Sequence, residues 1–232
     1  MNTIEFEINL QNCKHVFLPR QITSDLLYFV GVLVGDGSLP KRFDKRGYRK
    51  YAIVIEKANE KYVKNVLKPL AEKLFKRAWS LYEIKRKNRQ TKYSLCLNSR
   101  PLYEYFSKVF EIPEGKKANK VRMPTIIRKL PPKDRMPFIA GIIDTDWGSS
   151  GGERFGTHLA SKQLLIDVLD ALEVFLGKKY EIREYLQKGK FKSYQTVISK
   201  SEKHHLFKLF QTYYPLRNEK RLANFINKDI KV

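Results

Sequence analysis

The sequence predicts an α+β chain built from two copies of one unit. A run without charges over residues 26–35, LLYFVGVLVG, ends in Asp36 and Gly37. A second stretch, FIAGIIDTDWGS over residues 138–149, aligns Gly141 with Gly31, Thr145 with Gly35 and Asp146 with Asp36. After each run the chain repeats one order of elements: hairpin, helix, hairpin, helix.

The first run reads as a helix over residues 24–35, with Thr23, Ser24 and Asp25 as N-cap candidates. It is apolar on nearly every face, so it belongs in the interior. Gly31 and Gly35 each cost about 1 kcal/mol of helix propensity relative to Ala. Close backbone approach to a partner helix offsets that cost, and Gly141 and Thr145 are the small residues of such a partner. Asp134 is the expected N-cap of the second helix, with Pro137 in its first turn. A carboxylate at a helix C-terminus opposes the macrodipole by a few tenths to about 1 kcal/mol. Packed in parallel, the helices bring Asp36 and Asp146 out side by side, where they repel unless a proton or cation lies between them. A hard divalent cation with oxygen ligands fits such a place.

FVGVLVGDG and IAGIIDTDW resemble the two signature helices of LAGLIDADG homing endonucleases, in the single-chain, two-repeat form. The resemblance covers most of the chain. It implies two αββαββα halves related by a pseudo-twofold axis, an antiparallel β saddle lying along DNA, and the signature helices at the centre. It also implies a DNA endonuclease making metal-dependent double-strand breaks with short 3′ overhangs in a long asymmetric target, promoting mobility of its host intron. The expected metal ligands are Asp36 and Asp146 with the carbonyls of Gly35 and Thr145. The expected cofactor is Mg²⁺, with Mn²⁺ as a substitute and Ca²⁺ supporting binding without cleavage. One departure stands out: Trp147 occupies the family's usual Gly, and Gly148 follows one place late.

Composition agrees with a nucleic-acid partner. Lys and Arg number 46 against 24 acids in 232 residues, a formal net charge of +22 and a pI near 9.9. With only Cys13 and Cys96, there is no zinc spacing and no disulfide framework. The N-terminal MNTIEFEINL lacks a signal-peptide pattern, and no apolar run is long enough to span a bilayer. These features point to a cytoplasmic protein with no membrane association, and the resemblance implies a monomer. The ends of the chain carry no intein splice residues, so a freestanding, intron-encoded protein is expected.

Taken in order, residues 1–22 form an arm with a patch at Phe6, Ile8 and Leu10, and the first repeat covers 23–110. Lys41, Arg42, Lys45, Arg46, Arg49 and Lys50 surround the turn of the first hairpin, which ends in the strand YAIVI over 51–55. Residues 59–74 read as an amphipathic helix that Pro69 kinks or splits. A second hairpin carries Lys85, Arg86, Lys87, Arg89 and Lys92 in its loop. Residues 111–133 form a basic, Pro-containing linker whose cations either track a phosphate backbone or keep the connector soluble. In the second repeat, 134–214, the expected strand over 154–160 opens with Arg154, and the hairpin after the helix Lys162–Leu176 carries Arg183, Lys188, Lys190 and Lys192. Tyr82-Glu83-Ile84-Lys85 matches Tyr180-Glu181-Ile182-Arg183 as words, and residues 99–106 match 201–210. Residues 215–232 are a basic tail, helical in part.

The hairpin cations named above, apart from Lys41, are the candidate DNA contacts: phosphates supply affinity, and strand side chains read bases. The resemblance also calls for basic groups beside the attacking water at strand ends, and by position these are Lys57 and Lys200. Glu56 either adds a metal contact or pairs with a cation. His204 and His205 are adjacent in sequence, so they face apart and lack the spacing of a helical metal pair. Two other readings fit the same residues: an RNA maturase binding intron RNA, and a LAGLIDADG DNA-binding protein whose second site Trp147 has impaired.

Overall fold

A computed structural model describes residues 16–43, 45–47, 49–85, 87–88, 90–115, 117–149, 155–187 and 191–226; the arm's patch at Phe6, Ile8 and Leu10 lies outside them. The first repeat runs α1 (Ser24–Asp36), β1 (Gly37–Ser38), β2 (Lys41–Phe43), β3 (Arg49–Lys57), α2 (Glu60–Tyr62), a π turn (Val63–Leu67), α3 (Lys68–Phe75), β4 (Ser80–Ile84), β5 (Lys92–Asn98) and α4 (Arg100–Lys108). The short α5 (Thr125–Arg128) lies in the linker. The second repeat runs α6 (Pro132–Asp146), β6 (Trp147–Ser149), β7 (Phe155–Leu159), α7 (Lys162–Leu176), β8 (Arg183–Gln187), β9 (Phe191–Ile198) and α8 (Lys200–Tyr213), and α9 (Glu219–Ile226) lies in the tail.

Each repeat folds one antiparallel sheet in the same order, β1-β3-β5-β4 and β6-β7-β9-β8, with β2 pairing on β3. The chain is therefore α+β, with two equivalent sheets flanking a central helix pair, as a two-repeat saddle requires. That pair is α1 and α6. A Cβ on Gly31 would lie 2.1 Å from the carbonyl oxygen of Phe138, and one on Gly141 would lie 2.4 Å from that of Tyr28. Gly35 faces Thr145 one turn further on. Numbers rise together along the two helices, so they run parallel, and no side chain larger than hydrogen fits at Gly31 or Gly141.

Local chemistry accounts for the element ends. Thr23 caps α1 by accepting the Leu26 N–H at 3.2 Å. Ser99, Ser161 and Ser199 cap α4, α7 and α8, and Glu202 completes a capping box with Ser199. The split foreseen at Pro69 is the π turn, where the Lys68 N–H reaches the Val63 carbonyl; Pro69 has no N–H for an ordinary turn.

Four expectations are corrected. The helix of the second repeat starts at Pro132, so Asp134 lies inside its first turn and is not the N-cap; Pro137 lies a turn deeper than expected. YEIK and YEIR are not equivalent: through the pairings of β5 and β9 with their neighbours, Arg183 takes the place of Tyr82. Ser99 matches Ser199 by its capping role, not Ser201. The linker is no solvated connector, since Val121, Met123, Ile127 and Leu130 are buried in the common core.

Trp147 leaves the chain's exit from α6 unchanged. Gly37 (φ −83°, ψ 175°) and Trp147 (φ −93°, ψ 150°) are both extended, and each donates its N–H to the carbonyl four residues back, Leu33 or Ile143. Gly37 is needed for space, not for a left-handed turn, because its Cβ would meet Leu33 at 2.2 Å. In the second repeat the indole fills a fully buried site instead.

Because the helix contact is backbone on backbone, Gly31→Ala should lower unfolding free energy by about 3 kcal/mol in urea denaturation, as an overpacked core does. Gly177→Ala, at φ 63° with open space around it, should cost only about 1 kcal/mol.

Candidate active site at the ends of the paired helices

The parallel packing carries two helix C-termini, each with a terminal carboxylate, to one place. Asp146 lies against α1: a Cβ on Gly35 would be 2.7 Å from its Oδ2. Thr145 turns its hydroxyl back onto the carbonyls of Gly141 (3.1 Å) and Ile142 (2.9 Å), while its own carbonyl accepts from side chains outside the helix. Negative dipole ends and two acids in a half-buried place demand positive charge.

Three basic side chains supply it. Lys57 ion-pairs with Asp36 and donates to the Thr145 carbonyl at 2.7 Å, linking the two helix ends. Its amine reaches them because Ile53, Ile55 and Lys57 share one face of β3, and Ile53 and Ile55 are buried. Lys117, from the linker, donates to the carbonyls of Leu33 (2.8 Å), Val34 and Gly35 (3.0 Å) and so caps α1. Arg221, from α9, donates to the Thr145 carbonyl at 3.0 Å and caps α6. Burial pulls both lysine amines down to about 8, against the attraction of Asp146. Burial raises Asp146 above the usual carboxylate range, opposed by the charges of Lys57 and Lys117. Beside these groups an open cleft of about 610 Å³ is lined by Asp36, Glu56, Lys57, Asn59, Lys92 and Arg221, among others.

Asp144 was not a sequence candidate, yet it ties this place together. It is fully buried, and its Oδ2 accepts from the Tyr28 hydroxyl (2.6 Å) and from the backbone N–H groups of Arg217 (2.8 Å) and Asn218 (3.2 Å). Burial pushes it up to about 6. Tyr62 extends the network at 2.7 Å from Tyr28, and Asn218 joins Asn59 of the first repeat to the Asp144 carbonyl of the second.

The structure gathers Asp36, Asp146, Gly35, Thr145 and Lys57, and it separates Lys200 from them. The strand after α6 is β7, and the pairings place Leu159 opposite Tyr194 as Lys57 stands opposite Tyr93. Leu159 is thus the counterpart of Lys57. Lys200 is the exposed first residue of α8, two places past Ile198, which pairs with Phe155 at the far end of β7. The expectation failed because it took the end of the hairpin for the end of the strand that follows the signature helix.

Glu56 lies 3.9 Å from Lys92 and lines the same cleft as Asp36. Lys45, Arg46, Arg49 and Lys50 are exposed around the first hairpin, as are Lys85, Lys87 and Lys92 on the second. In the second repeat Arg183 and Lys192 are exposed, each paired with a glutamate, Glu181 at 2.9 Å and Glu184 at 2.8 Å. Such surface pairs are weak, so a phosphate competes for these cations at little cost. Arg86, Arg89, Arg154, Lys188 and Lys190, and the side chain of Arg42, lie outside the described residues.

Two parallel helices joined by small residues, each ending in a carboxylate and leading into one of two equivalent sheets, are the arrangement that the LAGLIDADG resemblance implies, and the chain has that fold. It is similar to Homing endonuclease I-DmoI of Desulfurococcus mucosus, with 31% identity over 84 residues. That stretch is 36% of this chain and 43% of the relative, so the match spans less than half of the curated protein. In three dimensions the likeness is broader. A structure of I-DmoI in complex with DNA and Ca superposes with a TM-score of 0.65 at 21% identity, covering 86% of this chain and 96% of that one. I-WcaI bound to its DNA recognition sequence gives a TM-score of 0.58 at 14% identity, covering 86% and 84%. No family model matches the sequence.

The buried lysines set a pH dependence. Between about pH 8 and the ordinary lysine value of 10.5, the unfolded chain holds protons on residues 57 and 117 that the folded chain has released, so stability rises with pH there. Tyr28 and Tyr62, whose values burial raises well above 10, act in the opposite sense once the unfolded chain begins to ionise them. Urea midpoints of the metal-free protein should therefore climb from pH 8 towards 10 and then fall. In Lys57→Met the climb should be smaller.

Proposed function

We propose that this protein is a site-specific DNA endonuclease of the homing type, acting as a monomer on double-stranded DNA with a divalent cation, Mg²⁺ by preference. The observation that carries the reading is the juxtaposition of Asp36 and Asp146 at two helix C-termini, ringed by Lys57, Lys117 and Arg221. All the oxygens offered there are hard donors: two carboxylates and the carbonyls of Gly35 and Thr145. The chain's own cations already crowd those oxygens, so the place suits positive charge, and these four residues would hold the metal. When bound, such an ion would activate water and stabilise the departing 3′ oxygen of a phosphodiester. The structures of I-DmoI with DNA and Mn, and with DNA and Ca, support a divalent ion in this fold.

The chain's residues do the rest. Exposed hairpin cations in both repeats hold phosphates and set register, while strand side chains on the solvent faces of the sheets read base edges. Lys57, with its amine near 8, exchanges a proton close to neutral pH and carries positive charge to the phosphate being cut. Lys117 and Arg221 hold the helix carbonyls in line and add to the positive field that a scissile phosphate meets. Short 3′ overhangs and mobility of a host intron follow from the same reading. Since Trp147 leaves the exit from α6 like that of its counterpart, no observation favours an impaired second site.

The test is selection of a target from randomised duplexes in Ca²⁺, followed by incubation of the selected DNA with Mg²⁺, Ca²⁺ or EDTA and sequencing of the ends. Double-strand cuts should appear with Mg²⁺ alone, and Asp36→Asn should abolish them while DNA affinity stays within a few fold. Cutting that survives Asp36→Asn would sink the proposal. If the surface neutralises about eight phosphates, log K should fall with log salt at a slope near −7.

A further inference from the structure

The two helix ends are capped by residues from outside their own helices, and by different routes. Lys117 reaches α1 from a non-helical part of the linker, as a long side chain folded onto three carbonyls. Arg221 belongs to the first turn of α9, where its N–H bonds the Asn218 carbonyl at 2.8 Å. Asn218 is held twice by Asp144, through its backbone N–H on Oδ2 and through its side-chain amide on the main-chain carbonyl at 2.9 Å. The path from Asp144 to Arg221 is thus one hydrogen-bonded helical turn. The equivalent of Asp144 in the first repeat is Val34, which has no carboxylate and presents only its carbonyl, to Lys117.

The tail is anchored on the first repeat as well. Arg217 pairs with Asp25 at 2.6 Å and lies over the rings of Tyr28 (4.8 Å) and Tyr214 (4.9 Å). Tyr214 also donates to Asp25 at 3.1 Å. These contacts fix where the tail crosses the helix pair. Asp144 fixes how α9 starts, and hence where the Arg221 guanidinium lies.

We propose that Asp144 is a positioning residue that makes the tail part of the second half-site: it holds residues 217 and 218 against α6 and thereby sets Arg221 on the Thr145 carbonyl, beside Asp146. This rests on the endonuclease reading for its effect on cutting. Losing the anchor should impair the cut served by the Asp146 end and spare the one served by the Asp36 end, where Lys117 arrives by the linker. The damaged enzyme becomes a strand-selective nickase.

The test compares wild type, Asp144→Asn, Arg221→Ala and Arg221→Lys on a supercoiled plasmid carrying the selected site, with the nicked strand mapped. Asp144→Asn and Arg221→Ala should slow one and the same strand by about 10- to 100-fold, the usual effect of losing an outer-shell partner, and nicked circles should accumulate. Arg221→Lys should recover part of that strand's rate. Equal slowing of both strands, or different strands in the two variants, overturns the proposal. If Asp144→Asn fails to fold, Arg221→Ala, which leaves the Asp144 contacts in place, still decides the strand question. A second readout needs no cleavage: in Asp144→Asn, hydrogen exchange at the 217 and 218 amides and phenylglyoxal modification of Arg221 should both accelerate. Unchanged Arg221 reactivity overturns the positioning role. Failure of the wild type to cut any selected DNA overturns the endonuclease reading alone, and the reactivity measurement still decides the positioning role.

Discussion

Everything in this molecule depends on the contact of α1 with α6 through Gly31 and Gly141. At that contact the glycine positions meet main-chain atoms of the opposite helix, so the helices must run parallel and in register. Parallel packing adds the two negative ends of the helix dipoles where antiparallel packing would cancel them. The repeats could have avoided that repulsion by ending in basic residues. They end in acids instead, and the fold then brings three cations, one buried and two half-buried, to the same place from β3, the linker and the tail. Close packing at one end of the pair and charge crowding at the other are one constraint seen twice.

This explains why the connectors are ordered. A linker between duplicated units needs only to span them, yet this one threads apolar residues into the core, pairs Arg122 with Asp167 at 3.5 Å, and delivers Lys117 to α1. The tail performs the matching service for α6. Buried lysine is costly unless its charge is used. Here the amines are lowered to about 8 because the carbonyls and acids they serve lie away from water. Such tension between stability and function is common where a site must receive a highly charged substrate.

Much of this was legible in the sequence. Internal duplication, glycine spacing and terminal acids gave the central helices and their direction, and period-two patterning gave the sheets. Lys57 was named on the resemblance, and the structure accounts for its place by the two buried isoleucines that precede it at alternate positions. What could not be read came from contacts distant in sequence. Lys117 lies in a run of lysines that looks like any solvated connector, and nothing local distinguishes the one that turns inward. Arg221 is one cation in a basic tail. Asp144, two residues before Asp146, carries no local signal of its role: it is buried against Tyr28 and the backbone of residues 217 and 218. Lys200 misled because strand ends in the two repeats were matched by hairpin and not by pairing.

The corrected pairing shows that the two half-sites are not copies. One side has Lys57, and its counterpart is Leu159; one helix has Val34, and its counterpart is Asp144; one end is capped by a lysine on a loop, the other by an arginine on a helix. Lys57 touches both ends at once, Asp36 of one helix and the Thr145 carbonyl of the other, so the second helix end takes a cation from the first repeat. The contact of Lys57 with the Thr145 carbonyl is therefore the link by which a first-repeat cation serves both helix ends.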